Sequence, residues 1–182
     1  MLFIYVFFQI LLFLVSCTIV FSLFHFLVTG NTPSVSTPDW VIGKMAENRE
    51  IKDGDIFYDL GCGTGRLIFN LSEVFTGTNF IGIENSLPQY LFARVRSFFL
   101  KRRNVSIKFE NFLKTDLSDA DHIYVWIYLR DIKLLKEKFE KELKSGCYVY
   151  SLDFPMPDVP VYKTIELKKT SKFGHTLFIY RY

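Results

Sequence analysis

The first 28 residues, Met1 to Val28, contain no Asp, Glu, Lys or Arg, so the chain's 22 Lys and Arg and its 19 Asp and Glu all lie downstream. A chain divided in this way cannot fold as one uniformly patterned globule. From Leu2 to Val28 the polar side chains are only Gln9, Ser16, Thr18, Ser22 and His25. An apolar helix of that length rises about 40 Å, enough to cross a hydrocarbon core of about 30 Å with some tilt. A cleaved signal peptide is the competing reading, but Met1-Leu2-Phe3 supplies no basic n-region, and a retained anchor is expected. Lys44, Arg49 and the basic remainder follow the span, which points to the N-terminus outside and the soluble part in the cytoplasm. We therefore expect an anchor over 1–28, a linker over 29–37 and one domain over 38–182. Cys17, Cys62 and Cys147 form no CxxC pair, consistent with a reducing compartment.

The remainder alternates between two periodicities. Strands are expected over Ile56 to Leu60, Asn79 to Glu84, Val105 to Glu110, His122 to Tyr128 and Cys147 to Leu152. Helices are expected over Pro38 to Asn48 with Thr37 as N-cap, Arg66 to Phe75, Leu87 to Arg103 and Arg130 to Lys144. Tyr162 to Leu167 and His175 to Tyr182 read as a closing antiparallel pair. Such alternation means right-handed βαβ units and a mostly parallel sheet with helices on both faces, an α/β class.

Tyr58-Asp59-Leu60-Gly61-Cys62-Gly63-Thr64-Gly65-Arg66 lies where the first strand runs into a helix, the place where open α/β sheets bind ligands. A dinucleotide fingerprint requires glycine where Arg66 stands, and a phosphate loop requires Gly-Lys-Ser/Thr, which is missing. An acid two residues before the first glycine repels phosphate and suits a cationic ligand. The motif resembles the first motif of the class I, seven-strand S-adenosylmethionine-dependent methyltransferases, (Asp/Glu)-x-Gly-x-Gly-x-Gly, matched at Asp59, Gly61, Gly63 and Gly65. The resemblance implies a Rossmann-like seven-strand sheet and S-adenosyl-L-methionine as cofactor. Its amino-acid part would lie against the glycine loop, with Asp59 near its amino group. Glu84, ending the second strand, would hold the ribose hydroxyls, since a carboxylate accepts from two vicinal hydroxyls. Asn111 and Phe112, after the third strand, would meet the adenine.

The whole chain also looks like a narrower group: short, membrane-anchored relatives of protein-lysine methyltransferases whose eukaryotic members act in mitochondria. The likeness rests on the N-terminal span, Pro33-Ser34-Val35-Ser36-Thr37-Pro38, Tyr128-Leu129, Ser151-Leu152-Asp153-Phe154-Pro155-Met156-Pro157 and His175 to Tyr180. Ser34 and Ser36 depart from the group's Pro-Tyr-x-Pro-Thr-like pattern. A lysine of a membrane or membrane-proximal protein is the acceptor this implies; a lipid or quinone-like small molecule, or a catalytically silent cofactor-binding module, are the rivals. Trp126 and Tyr128, next to the expected cofactor sulfur, are candidates to line an acceptor channel, because an apolar channel favours the neutral amine. Asp153, after the fifth strand, is read as a solvated loop acid ahead of a group that steers a cationic side chain. His25, His122 and His175 are dispersed, and no metal site is expected. Arg94, Arg96, Lys101, Arg102 and Arg103 cluster on one helix, a solvated face or a contact for anionic lipid head groups; nucleic acid is not expected, since no binding motif accompanies the charge.

Overall fold

A computed structural model describes residues 2–29, 36–127, 129–167 and 174–182. The chain divides into two compact units, Met1–Val35 and Ser36–Tyr182. The first is helix α1, Leu2–Thr29. Between Phe3 and Phe21 every side chain is exposed, and by length and composition this stretch is a candidate membrane span. The Ser16 and Thr18 hydroxyls donate back to the carbonyls of Leu12 (2.8 Å) and Val15 (2.7 Å), so α1 satisfies them without water.

The second unit runs α2 (Asp39–Ala46), β1 (Ile56–Leu60), α3 (Arg66–Val74), β2 (Asn79–Glu84), α4 (Leu87–Leu100), β3 (Val105–Phe109), β4 (His122–Val125), α5 (Leu129–Glu142), β5 (Tyr148–Leu152), β6 (Lys163–Glu166) and β7 (Thr176–Arg181). The strands form one sheet in the order β3-β2-β1-β4-β5-β7-β6. The first five are parallel, and β7 inserts antiparallel between β5 and β6. The seven-strand α/β expectation therefore holds, and the reversal of strand order falls between β1 and β4.

Period-two alternation sorts the strand residues between two cores. Phe57, Phe80, Tyr124 and Tyr150 face a core shared with Val41, Ile42 and Met45 of α2, Leu67, Ile68 and Leu71 of α3, and Ala93 of α4. Tyr58, Leu60, Ile83, Ile123, Val125 and Val149 face the other, closed by Leu135 and Phe139 of α5 with Leu117, Ala120 and Met156. Asp59, Gly82 and Glu84 alternate onto the first face, which places all three on the α3 side.

Two expectations need correction. Thr37 does not cap α2: the N-cap is Pro38, and the Thr37 hydroxyl lies instead 3.4 Å from the buried Tyr124 hydroxyl. Strand β4 ends at Val125, leaving Trp126 and Ile127 in an irregular stretch, while Tyr128 lies outside the described residues.

At the opposite ends of β1, β4 and β5 the core is polar but fully paired. Asn48 Nδ2 donates to the Tyr150 hydroxyl at 2.7 Å; that hydroxyl lies 3.1 Å from His122 Nδ1, and His122 Nε2 lies 2.9 Å from Asp55 Oδ2. Tyr150 can donate only to an unprotonated Nδ1, so this chain assigns the neutral Nε2–H tautomer, and burial holds the His122 pKa below its ordinary value against the opposing Asp55 carboxylate.

Gly82 is fixed by volume. A methyl group there would stand 2.7 Å from Cys62 Sγ, 2.8 Å from Ile68 Cδ1 and 3.0 Å from Ile107 Cδ1. Gly82→Ala is expected to destabilise the fold by about 1–3 kcal/mol through overpacking, measured by urea denaturation; an unchanged midpoint contradicts this packing.

Candidate active site

The residues picked out in the sequence converge at the carboxyl ends of the parallel strands. Asp59 stands opposite Gly82 on one side and Tyr124 on the other, and Glu84 stands opposite Phe109. Asn111 and Phe112 follow β3, and Trp126 follows β4, so Asp59, Glu84, Asn111, Phe112 and Trp126 all lie along one edge of the sheet. The structure brings these together and is silent on Tyr128.

The loop from β1 to α3 needs its glycines. Gly61, Gly63 and Gly65 have φ of 79°, 55° and 74°, a left-handed region costly for side chains with a Cβ. The turn is stapled to the end of β2: Gly61 N–H and Cys62 N–H both donate to the Ile83 carbonyl, at 2.9 and 3.0 Å. Gly63 N–H then donates to Glu84 Oε2 at 2.8 Å, while Ser86 N–H donates to Glu84 Oε1 at 2.7 Å. A carboxylate has about four lone-pair sites, so Glu84 retains acceptor capacity for two hydroxyls after binding these amides. A Cβ on Gly61 would meet nothing within 4 Å, so the concave side of the turn is open for a close backbone approach.

Asp59 is only 4% exposed, and among the described residues no group donates a hydrogen bond to its carboxyl. Burial first, and the Glu84 carboxylate second, push its pKa up to about 8. A buried acid with no protein donor beside a second carboxylate is the complement of a cation, and the amino group and sulfonium of S-adenosylmethionine fit it. The Cys62 thiol, raised by burial, then by Asp59 and Glu84, is packing beneath the loop rather than a nucleophile.

After β3, Asn111 Oδ1 accepts from Leu113 N–H at 3.0 Å, fixing the side chain in an Asx turn with one lone pair remaining. Phe112 is half-buried and packs against the second core. Trp126 is likewise half-buried, but against the first.

Two features escaped the sequence reading. Tyr124 faces the Asp59 side of the sheet with its phenol fully buried and its pKa raised by that burial, and it meets Thr37. Only its register beside Asp59 signals this. Asp153, read as a solvated acid, is a structural clamp: it adopts φ 63° and accepts from the backbone N–H groups of Gly174 (2.8 Å), His175 (2.7 Å) and Thr176 (3.3 Å). Trp40 Nε1 donates to the Gly174 carbonyl at 3.1 Å, so α2 and the start of β7 are joined beside the end of β5.

Residues 59–163 match the family model described as the ANTKMT methyltransferase domain. A protein-lysine N-methyltransferase of Saccharolobus islandicus (strain REY15A) is 30% identical over 152 residues, covering 82% of this chain and 93% of the relative. A pavine N-methyltransferase of Thalictrum flavum subsp. glaucum is 31% identical over 63% of this chain, but only 32% of its own length. Among solved structures, an RNA methyltransferase from Salinibacter ruber in complex with S-adenosyl-L-homocysteine superposes with a TM-score of 0.73 at 24% identity, covering 81% of this chain and 93% of that one.

Three outcomes follow from the paired acids. Asp59 is neutral in the native state between about pH 4 and 8 but ionised when unfolded, so the unfolded state binds fewer protons and native stability falls as pH rises through that window. Asp59→Asn escapes this cost: its melting temperature is expected to exceed that of the parent at pH 8.5, by roughly 2–4 °C for each kcal/mol recovered, although S-adenosylmethionine affinity falls. At pH 7, calorimetry in buffers of different ionisation enthalpy should show the parent releasing about one more proton on cofactor binding than this variant; equal release contradicts the assignment. Glu84→Gln is expected to weaken S-adenosylmethionine about 10-fold or more by removing charge-assisted acceptance, and equal affinity in a titration argues against a ribose contact.

Proposed function

The chain belongs to the ANTKMT methyltransferase-domain family and is an S-adenosylmethionine-dependent methyltransferase; from that premise we propose that it methylates the ε-amine of a lysine in a membrane or membrane-proximal protein. The observation that carries the acceptor is the likeness to the Saccharolobus islandicus protein-lysine N-methyltransferase, which spans 93% of that relative rather than the glycine loop alone. We read residues 1–28 as the anchor, 29–37 as the linker and 38–182 as the catalytic domain, facing the cytoplasm.

When bound, S-adenosylmethionine supplies an electrophilic methyl group on a sulfonium, and transfer to an amine is an in-line displacement that requires alignment rather than a metal or an acylating nucleophile. The chain's residues perform that alignment. Asp59 neutralises the positive end of the cofactor from a buried position, Glu84 fixes the ribose while its two amide contacts hold the turn, and Gly61, Gly63 and Gly65 let the backbone close on the amino-acid part. Asn111 and Phe112 border the adenine.

An acceptor lysine must shed its proton before it can attack, because the ammonium has no lone pair. Its ordinary pKa is about 10.4, and an apolar, aromatic surrounding lowers it by penalising the charge. Trp126, following β4 on the same face as Asp59, supports such a channel. Aromatic walls also position the amine along the methyl–sulfur line.

The test uses full-length protein with membranes and methyl-labelled S-adenosylmethionine. Label is expected in a protein band that yields methyl-lysine on hydrolysis. Label confined to the lipid extract assigns a lipid or quinone-like acceptor instead, and absence of transfer despite cofactor binding assigns a silent module. Trp126→Ala is expected to lower kcat/KM for the protein acceptor by about 10²-fold with cofactor affinity within about twofold. A parallel loss of cofactor affinity removes Trp126 from the acceptor channel.

A further inference from the structure

Helix α4 is the least covered helix of the catalytic unit among the described residues. Of its 14 residues only Ala93 is buried. Leu87, Leu91, Val95 and Phe98, spaced at helical repeats, form one continuous stripe, and Phe92 and Phe99 widen it by most of another row. All six are more than half exposed, Phe98 and Phe99 at 74% each. Nothing in the sheet needs these side chains, since α4 meets it through Ala93 and Tyr90, whose ring lies 5.3 Å from that of Phe109. Phe109, on the edge strand β3, is itself 51% exposed and adjoins the helix. Soluble surfaces rarely present a contiguous apolar patch of this kind without a partner.

The charges around the patch identify the partner's chemistry. Residues 87–103 contain five bases, Arg94, Arg96, Lys101, Arg102 and Arg103, and no acid. At 3.6 residues per turn Arg94 borders one side of the stripe and Arg96 the other. The Arg96 guanidinium is held 5.1 Å from the centre of the Phe69 ring, at the border of the apolar face. Arg102 pairs with Glu73, whereas Arg94, Lys101 and Arg103 have no carboxylate partner among the described residues. An apolar stripe of Leu and Phe edged by arginines is the pattern of a helix lying in a lipid interface with its cations among anionic head groups.

We propose that α4 is a membrane-docking helix, its Leu87, Leu91, Phe92, Val95, Phe98 and Phe99 face embedded in the interface of a bilayer containing anionic lipid. A second copy is the weaker occupant, because self-pairing would set these bases against one another with no acid on the helix to receive them. The proposal rests on the reading of α1 as a span, which keeps the docking helix at high effective concentration near a bilayer. Helix α4 begins three residues after Glu84, so its first turn follows directly from the carboxyl end of β2.

The test uses the full-length chain in vesicles of phosphatidylcholine with 30% phosphatidylglycerol. Spin labels are placed at Val95→Cys, at Phe98→Cys and, as a control on α5, at Glu137→Cys, each with Cys17→Ser; Cys62 and Cys147 are buried. The parent labelled at Cys17 reports on α1. Greater accessibility to oxygen than to a water-soluble nickel chelate is expected at 17, 95 and 98, and the reverse at 137. Lipid exposure at 17 with water exposure at 95 and 98 overturns the docking alone; water exposure at 17 as well overturns the anchor reading. Protection at 95 and 98 from both reagents, with dipolar coupling between labels on separate chains, assigns the face to a second copy. Replacing phosphatidylglycerol by phosphatidylcholine should reduce lipid exposure at 95 and 98 but not at 17, and no such change overturns the anionic preference.

Discussion

The contact on which the site depends is the pair of backbone amides gripping Glu84. Gly63 N–H at 2.8 Å joins this carboxylate to the turn after β1, and Ser86 N–H at 2.7 Å joins it to the start of α4. One side chain thus ties together the turn after β1 and the start of α4, beside the two amides that the Ile83 carbonyl receives. Glu84 is 7% exposed, and its carboxylate lies on the same face of the sheet as Asp59, where it adds to burial in raising the Asp59 pKa. The two acids therefore differ in surroundings: Glu84 accepts from two backbone N–H groups, whereas among the described residues none donates to Asp59. A buried acid whose pKa is raised in this way beside a second carboxylate is complementary to a cationic ligand.

Much of this was legible in the sequence, for identifiable reasons. Strand and helix placement followed from period: Ile56 to Leu60 and Asn79 to Glu84 are apolar runs closed by turn residues, and the observed bounds agree. Asp59, Gly61, Gly63, Gly65 and Glu84 were legible because their spacing reports a local turn in which each residue has a conformational or charge requirement. Residues whose role depends on distant partners were not. Thr37 has the local signature of an N-cap, yet a tyrosine 87 residues away lies beside its hydroxyl. Asp153 looks like any loop acid until β7 brings three N–H groups to it. The run through Tyr128 reads as strand because strand ends are set by where the neighbour stops pairing, and β5 pairs with β4 only as far as Val125.

The two ends of the sheet solve opposite problems. At the carboxyl ends, polar groups are held with capacity to spare, as in Glu84 with its remaining lone pairs and Asp59 with no donor among the described residues. At the amino ends, Asn48, Tyr150, His122 and Asp55 pass hydrogen bonds down a closed line with rings of Phe57, Tyr148 and Tyr150 stacked about the imidazole. Such satisfaction makes a rigid base, against which a loop under electrostatic tension can be held in place.

The insertion of β7 between β5 and β6 sets an order of events as the chain leaves the ribosome. Strand β6 emerges first, but among the described residues β7 is its sole partner in the sheet. Residues 163–166 must therefore wait, unpaired, until residues 176–181 have been made and have zipped onto β5. Folding of this edge runs against the direction of synthesis. Until the last strand arrives, β5 presents an open edge to whatever else is near, so the interval between translating β6 and seating β7 is when the nascent domain is most exposed to mispairing.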